Sequence, residues 1–180
     1  EVMGNLTKAT EENFWGTAPG YWYKINTVTM ATDTTFFGSG VISVPGDGNN
    51  NRALQHVVMD CEPGSSFLVS AWAKASANPN SVAKKESATS DDPYFGIIVR
   101  LRYANEAVDE LYYPFDPFYD GWQFCQGVVA PKEENIAEEI TDIVVLLAYD
   151  QNYNTALFDN VSLSVGPTQR FSYDENGNLT

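Results

Sequence analysis

The amino-acid sequence predicts an all-β fold, an antiparallel β-sandwich of the jelly-roll type with a short hairpin-forming tail at its C-terminus. Two observations lead to this prediction. Helical periodicity is nearly absent, and short strand-like segments alternate with clusters of Gly, Pro and Asn. The chain has 180 residues, of which 43% are hydrophobic and 13% aromatic, so it is long enough for one domain with a full hydrophobic core.

The predicted strands follow one another along the chain and are separated by turns such as 45–51 and 62–65. They are Gly40–Val44, Gln55–Asp60, Ser66–Lys74, Phe95–Tyr103, Leu111–Tyr113, Trp122–Ala130, Asp142–Tyr149 and Ala156–Val165. Two segments differ from this pattern. Glu133–Ile140 is rich in Glu and Ala and predicts one or two helical turns, whereas Ala75–Asp92 predicts a long polar loop.

Alternation of apolar and polar residues predicts which face of each strand is buried. In Phe67–Lys74, Trp72 lies on the face opposite Val69. In Phe95–Tyr103, every second residue is apolar, which leaves Arg100 and Arg102 facing outward. In the last strand, the same alternation places Asp159 in the middle of an apolar face, with Leu157, Val161, Leu163 and Val165. A buried carboxylate is costly, so this aspartate needs a partner.

Charge excludes some classes of partner. The formal net charge of −14 argues against nucleic acid binding, because phosphates would be repelled. It permits neutral glycans and favours Ca²⁺, which prefers oxygen ligands. The longest apolar run, 143–149, is far too short to cross a bilayer, so we expect no membrane insertion. Cys61 and Cys125 match no zinc pattern. They could form a disulfide in a secreted protein or remain two buried thiols.

The C-terminal residues carry a specific motif. Tyr173-Asp174, followed by Gly177-Asn178-Leu179-Thr180, resembles the repeat unit of the YD-repeat (Rhs-type) proteins, and its Asn-Gly pair is itself a strong hairpin signal. This resemblance implies a bacterial parent protein that is secreted or on the cell surface, in which further YD repeats follow. It divides the chain into a globular domain, 1–165, and a linker with the first repeat unit, 166–180.

Four segments of the globular domain, 37–44, 55–64, 67–74 and 156–163, occur in an order that resembles the CBM4/CBM9-like, galactose-binding-type carbohydrate-binding modules. The resemblance implies non-catalytic binding of a glycan or polysaccharide. It also implies a structural Ca²⁺ bound by Asp159 together with an acidic residue near the N-terminus, for which Glu11 and Glu12 are the candidates.

Sugar binding needs flat apolar side chains for the C–H faces of the sugar and polar groups for its hydroxyls. Aromatic residues concentrate in 21–23 and 112–122. From these clusters and the Trp72 strand we predict Tyr113, Tyr119, Trp22 and Trp72 as carbohydrate-binding residues. The alternative for each is packing in the core, which is the usual location of aromatic residues.

Two other functional classes stay open at this point. A structural or adhesive spacer domain would have the same fold without a sugar site. A hydrolase subdomain is disfavoured, because no G-x-S-x-G motif is present and the single histidine, His56, has no evident catalytic partner. We therefore predict that the chain is not an enzyme.

Overall fold

The computed structural model describes residues 22–31, 40–57, 61–75 and 92–166. These residues form ten strands and one 3₁₀ turn, Glu133–Asn135, which confirms the all-β prediction. The strands are β1 Trp22–Ile25, β2 Thr29–Ala31, β3 Val41–Asp47, β4 Asn50–Val57, β5 Phe67–Ala75, β6 Tyr94–Tyr103, β7 Val108–Pro114, β8 Gln123–Val129, β9 Ile140–Asp150 and β10 Tyr153–Val165. In the described part of the chain, no helix is long and apolar enough to cross a membrane.

Two five-stranded antiparallel sheets pack face to face. The front sheet has the strand order β1-β4-β9-β6-β7, and the back sheet has the order β2-β3-β10-β5-β8. In the back sheet, β10 is the central strand, and it joins the β2–β3 pair to the β5–β8 pair. The outer surfaces of the two sheets are called the front face and the back face below.

The core lies between the sheets and is built from alternate residues of each strand. In β5, each odd-numbered residue from Phe67 to Ala75 is buried and each even-numbered residue is partly exposed, so Trp72 points outward as predicted. In β6, the predicted apolar face enters the core, and Arg100 and Arg102 point outward. The expected burial of alternating apolar residues is therefore confirmed for both strands.

The predicted buried face of the last strand is correct at Val161 and Leu163, which lie in the core. It is wrong at Leu157, Asp159 and Val165, which lie outside the core. Phe158 lies in the core, whereas Asp159 pairs with the outward-facing Trp72 and so lies on the back face. The pairing of β10 with β5 shifts between Asp159 and Ser162, which marks a β-bulge. An extra residue at a bulge reverses the alternation, so Val161 can still enter the core.

Element boundaries differ modestly from the sequence prediction. The predicted turn 45–51 is shorter, because β3 continues to Asp47 and β4 begins at Asn50. The predicted helical segment contains only the 3₁₀ turn, and β1 and β2 are strands that the prediction did not include. The final strand ends at Val165, where the predicted globular domain also ends, and the YD-like motif lies outside the described residues.

A buried aspartate ties the β6–β7 hairpin to the 3₁₀ turn. One oxygen of Asp109 accepts hydrogen bonds from the Tyr103 hydroxyl at 2.6 Å and the Lys132 backbone N–H at 2.9 Å. The other oxygen accepts one from the Asn135 amide at 2.9 Å. These three donors compensate the loss of water around the carboxylate, so the connection between β8 and β9 is fixed by polar contacts as well as by packing.

Neither cysteine forms a disulfide. The Cys61 sulfur lies 4.0 Å from the Ile140 carbonyl oxygen, and the Cys125 sulfur lies 3.8 Å from the Pro114 carbonyl oxygen. The structure therefore has two thiols rather than a disulfide, but both are partly exposed and not buried as the sequence suggested.

Candidate functional site

An aromatic and aliphatic row crosses the front face at right angles to its strands. The register aligns one outward residue from each strand, in the order Tyr23, Leu54, Leu146, Ile98 and Tyr112. Four gaps between strands of about 4.8 Å each make this row about 19 Å long. The two tyrosines stand on the edge strands, β1 and β7, so the row ends in an aromatic ring on each side.

Charged residues border this row and are paired across neighbouring strands. On one side, Arg52 donates from Nε to Oδ1 of Asp150 at 2.9 Å and from Nη2 to Oδ2 at 2.6 Å. On the other side, Arg100 pairs with Glu110. Further along, Arg102 lies 3.8 Å from Asp142. The three arginines and three carboxylates sum to no net charge, in contrast to the −14 of the whole chain.

Glu110 is held in a fixed position by two donors. It accepts from Nε of Arg100 and from the Tyr112 hydroxyl at 2.5 Å. Burial alone would raise the pKa of Glu110, but these hydrogen bonds and the Arg100 charge outweigh it and lower the pKa. Burial and the neighbouring Glu110 raise the pKa of Tyr112 to about 12. At neutral pH the site therefore presents a carboxylate, a guanidinium and a neutral phenol in one arrangement.

Accessibility is greatest at one end of the front face. The middle of the row is buried at Leu146 and Ile98, and Asp150 is buried beside Arg52. His56, Arg100 and Glu110 have partly or substantially exposed side chains, and the Tyr23 ring is 46% exposed. A ligand would therefore contact Tyr23 and the polar side chains at the end of the front face that contains His56 and Arg100.

Two of the sequence-predicted sugar-binding residues are in the wrong environment for that role. Trp22 is only 1% exposed and packs in the core between the sheets, so its ring cannot stack on a ligand. Tyr113 points inward at the edge of the sandwich, where it packs over Gly127 and donates a hydrogen bond to the Val128 carbonyl at 2.7 Å. Burial raises the pKa of Tyr113 to about 12. The expectation that Tyr113 is an exposed ring is therefore wrong.

The other two predicted residues are accessible but lie apart from the front-face row. Tyr119 is 54% exposed in the loop between β7 and β8, which is fastened by two hydrogen bonds between Asp116 and the Gln123 side chain. Trp72 lies on the back face against Phe124, with ring centroids 5.4 Å apart. The structure thus brings none of the four predicted residues together in one site.

Asp159 is 2% exposed, and its Oδ1 accepts the Asn160 backbone N–H at 2.7 Å. Within the described segments, no group of three or more His, Cys, Asp and Glu side chains could hold a metal ion. Glu11 and Glu12, the other predicted calcium ligands, lie outside the described residues. Carboxylate oxygens are ligands that calcium prefers, and of the three predicted ligands Asp159 is the one that lies in the described part of the chain.

His56 lies on the front face, where its Nδ1 is 3.0 Å from Oδ1 of Asp142. This pair resembles the base and orienting acid of a hydrolase. In the described part of the chain, however, the flanking outward residues on β4 and β9 are Leu54 and Val144, neither of which is a nucleophile. The arrangement can donate and accept hydrogen bonds, and it does not form a catalytic triad.

No protein-family model and no curated protein sequence matches the chain. Solved structures do match it. "Family 16 Carbohydrate Binding Module-2" is 21% identical with a TM-score of 0.54, and the match covers 76% of this chain and 84% of that chain. A putative sugar binding protein from Bacteroides thetaiotaomicron is 13% identical with a TM-score of 0.56, covering 92% and 99%.

A third match is to the CBM22-1–GH10 modules of a Clostridium thermocellum xylanase, a structure complexed with xylohexaose. It is 10% identical with a TM-score of 0.56 and covers 85% of this chain and 27% of that chain. At these identities the matches define the class of fold. The chain is a β-sandwich jelly roll of the kind found in carbohydrate-binding modules.

Proposed function

We propose that this domain binds carbohydrate without catalysis, and that the ligand contacts the front face. The observation that carries the proposal is the exposed Tyr23 ring on the same face as the accessible Arg100–Glu110 pair. Sugar rings present both C–H faces and hydroxyls, so they are recognised by aromatic rings next to hydrogen-bonding groups. The front face supplies both kinds of group on rigid strands.

The hydrogen bonds within the site support binding of a neutral ligand. Arg100 and Glu110 hold each other in place, and a guanidinium has five N–H donors, so capacity remains for sugar hydroxyls. Side chains that are already fixed lose less entropy when a ligand binds. Because the paired charges cancel, the face offers no excess positive charge to attract an acidic polysaccharide or a nucleic acid.

The structural matches support the same ligand class. Two of the three are named as a carbohydrate-binding module and a putative sugar binding protein, and the third contains a CBM22 module. One was solved with xylohexaose, which makes that oligosaccharide a reasonable first probe.

The test is an oligosaccharide array that includes xylohexaose, followed by calorimetry on Tyr23→Ala and Tyr119→Ala. The two tyrosines are matched controls, because they are 46% and 54% exposed and only Tyr23 is on the front face. We expect Tyr23→Ala to weaken binding about ten-fold and Tyr119→Ala to leave it unchanged. Loss of binding only in Tyr119→Ala would move the site to the β7–β8 loop. No binding by the wild type would favour the structural or adhesive spacer.

We also propose that this domain is part of a longer parent protein. The YD-like motif after Val165 supports a module of a large secreted or cell-surface YD-repeat protein, with further repeats following in the parent chain. Mass spectrometry of the native protein from its host tests this directly. Peptides from downstream YD repeats in the same polypeptide would support the proposal, and a native chain ending near residue 180 would contradict it.

We also propose a structural Ca²⁺ with Asp159 as one ligand, supported by the burial of that carboxylate. An ion that binds only the folded state raises its stability by mass action. Addition of EDTA should therefore lower the melting temperature of the wild type and have no effect on Asp159→Asn. An identical melting curve with and without EDTA, and no metal by elemental analysis, would contradict calcium binding.

A further inference from the structure

The back face carries a second arrangement of aromatic and polar side chains, built from three neighbouring strands. Its first row is Asp159, Trp72 and Phe124, from β10, β5 and β8. The next row along the same strands is Ser162, Ser70 and Gln126. Successive outward residues on a strand are about 6.8 Å apart, so the polar row lies about 6.8 Å from the aromatic row.

The aromatic row offers a hydrophobic surface. Phe124 is 49% exposed, and its ring is tilted by 44° to that of the partly exposed Trp72. A half-exposed phenylalanine on an edge strand has no role in the core. The adjoining Ser70, Ser162 and Gln126 side chains are uncharged and can both donate and accept hydrogen bonds.

The charged residues of this surface indicate which class of ligand it can bind. Lys74 and Asp159 are its charged groups within the described residues, one of each sign, and Asp159 is buried. In a chain of net charge −14, this surface therefore has little charge, because Lys74 is its one partly exposed charged group in the described residues. A neutral pyranose ring, with a C–H face for the rings and hydroxyls for the polar row, complements it, whereas a polyanion or a strongly basic partner does not.

We propose that the back face is a second glycan-binding surface, with Phe124 and Trp72 as its aromatic contacts and Ser70 and Gln126 as hydrogen-bonding contacts. The inference rests on the proposed function for the class of ligand, but its residues are separate. The two sheets pack about 10 Å apart and face in opposite directions, so one straight glycan chain cannot contact both surfaces. The domain would therefore hold two polysaccharide chains together.

The test is affinity gel electrophoresis in gels that contain xylan, mixed-linkage β-glucan or galactomannan, with polygalacturonate as the acidic comparison. The variants are Tyr23→Ala, Phe124→Ala and the double variant. Val128→Ala is the matched control, since Val128 is 61% exposed on the same strand and the same face as Phe124. We expect the double variant to bind at least one neutral polysaccharide about ten-fold more weakly than Tyr23→Ala, with no change in Val128→Ala.

The outcomes separate the two surfaces. If Tyr23→Ala abolishes all retardation, or if the double variant binds as tightly as Tyr23→Ala, the back-face proposal is wrong. If Phe124→Ala abolishes retardation and Tyr23→Ala has no effect, the back face is the binding surface and the front-face proposal is wrong. No retardation of the wild type in any neutral gel contradicts both. Light scattering that shows a dimer made monomeric by Phe124→Ala would assign the surface to a second copy and overturn the proposal.

Discussion

Replacing Arg52 by methionine tests how the front face is held together. Methionine keeps a flexible aliphatic side chain and removes the guanidinium, whose nitrogens lie 2.9 Å and 2.6 Å from the carboxylate oxygens of Asp150. Because Asp150 is fully buried, its charge would remain without this compensation. Removing one member of a buried ion pair destabilises a protein, because the charge that remains is buried without compensation.

The expected loss in the free energy of unfolding is about 3–5 kcal/mol, which is typical when one member of a buried pair is removed. For a domain of this size, each kcal/mol lowers the melting temperature by about 2–4 °C, so the decrease should be about 6–20 °C. The matched control is Arg102→Met on the same face. Its guanidinium is more than half exposed and 3.8 Å from Asp142, so its loss should cost under about 1 kcal/mol.

Urea unfolding followed by tryptophan fluorescence measures these values, and an unchanged m-value shows that the unfolding transition is comparable. A double-mutant cycle with Asp150→Asn isolates the pair. The double variant should be more stable than the sum of the single effects predicts, by about 1.5 kcal/mol or more. If Arg52→Met and Arg102→Met lower the free energy of unfolding by the same amount, burial of Asp150 does not strengthen the Arg52–Asp150 pair. That result would contradict the prediction.

Three further predictions concern stability. Asp109→Ala removes the acceptor for three donors, two of them buried, and should lower the free energy of unfolding in urea by about 3 kcal/mol or more; a loss under about 1 kcal/mol would show that water replaces the carboxylate. Gly127→Ala places a methyl group in the Tyr113 ring and should cost about 1–3 kcal/mol, which the second change Tyr113→Ala should reduce; additive losses would contradict that contact. The pKa of Glu110 is lowered in the folded state, so its stabilisation is present above the ordinary value of 4.5 and is lost as the pH falls through the folded pKa. Melting curves between neutral and acidic pH should therefore show a smaller acid loss in Glu110→Gln than in the wild type, and parallel curves would rule out this role.

Local patterns predicted the fold class, because the alternation of apolar and polar residues within a strand indicates which of its faces is buried. The alternation in β5 and β6 shows this, including the outward positions of Trp72, Arg100 and Arg102. The same rule failed at Leu157 and Asp159 in β10, because the bulge after Asp159 shifts the alternation without any glycine or proline to signal it.

The candidate site could not be predicted in the same way, because it depends on pairing between distant segments. Arg52 and Asp150 are 98 residues apart in the sequence, and only the register of β4 with β9 brings them together. Arg100 and Glu110 are closer, in one hairpin, and an outward arginine facing an outward glutamate was a usable signal. Aromatic density favoured Trp22 and Tyr113, but density does not distinguish a ring in the core from a ring on the surface.

The central position of β10 also sets the order in which the domain can fold. All five strands of the front sheet have been synthesised by Asp150, whereas the two halves of the back sheet wait for Tyr153–Val165 to come between them. The pairing of β10 with β3 spans more than a hundred residues, from Ile42 to Phe158 at one end and from Asp47 to Tyr153 at the other. Such long-range pairing is slow, because much chain entropy is lost before the contacts form. Until the last strand emerges from the ribosome, the edges of β3 and β5 that will pair with β10 are therefore open to pairing with another chain, which favours aggregation.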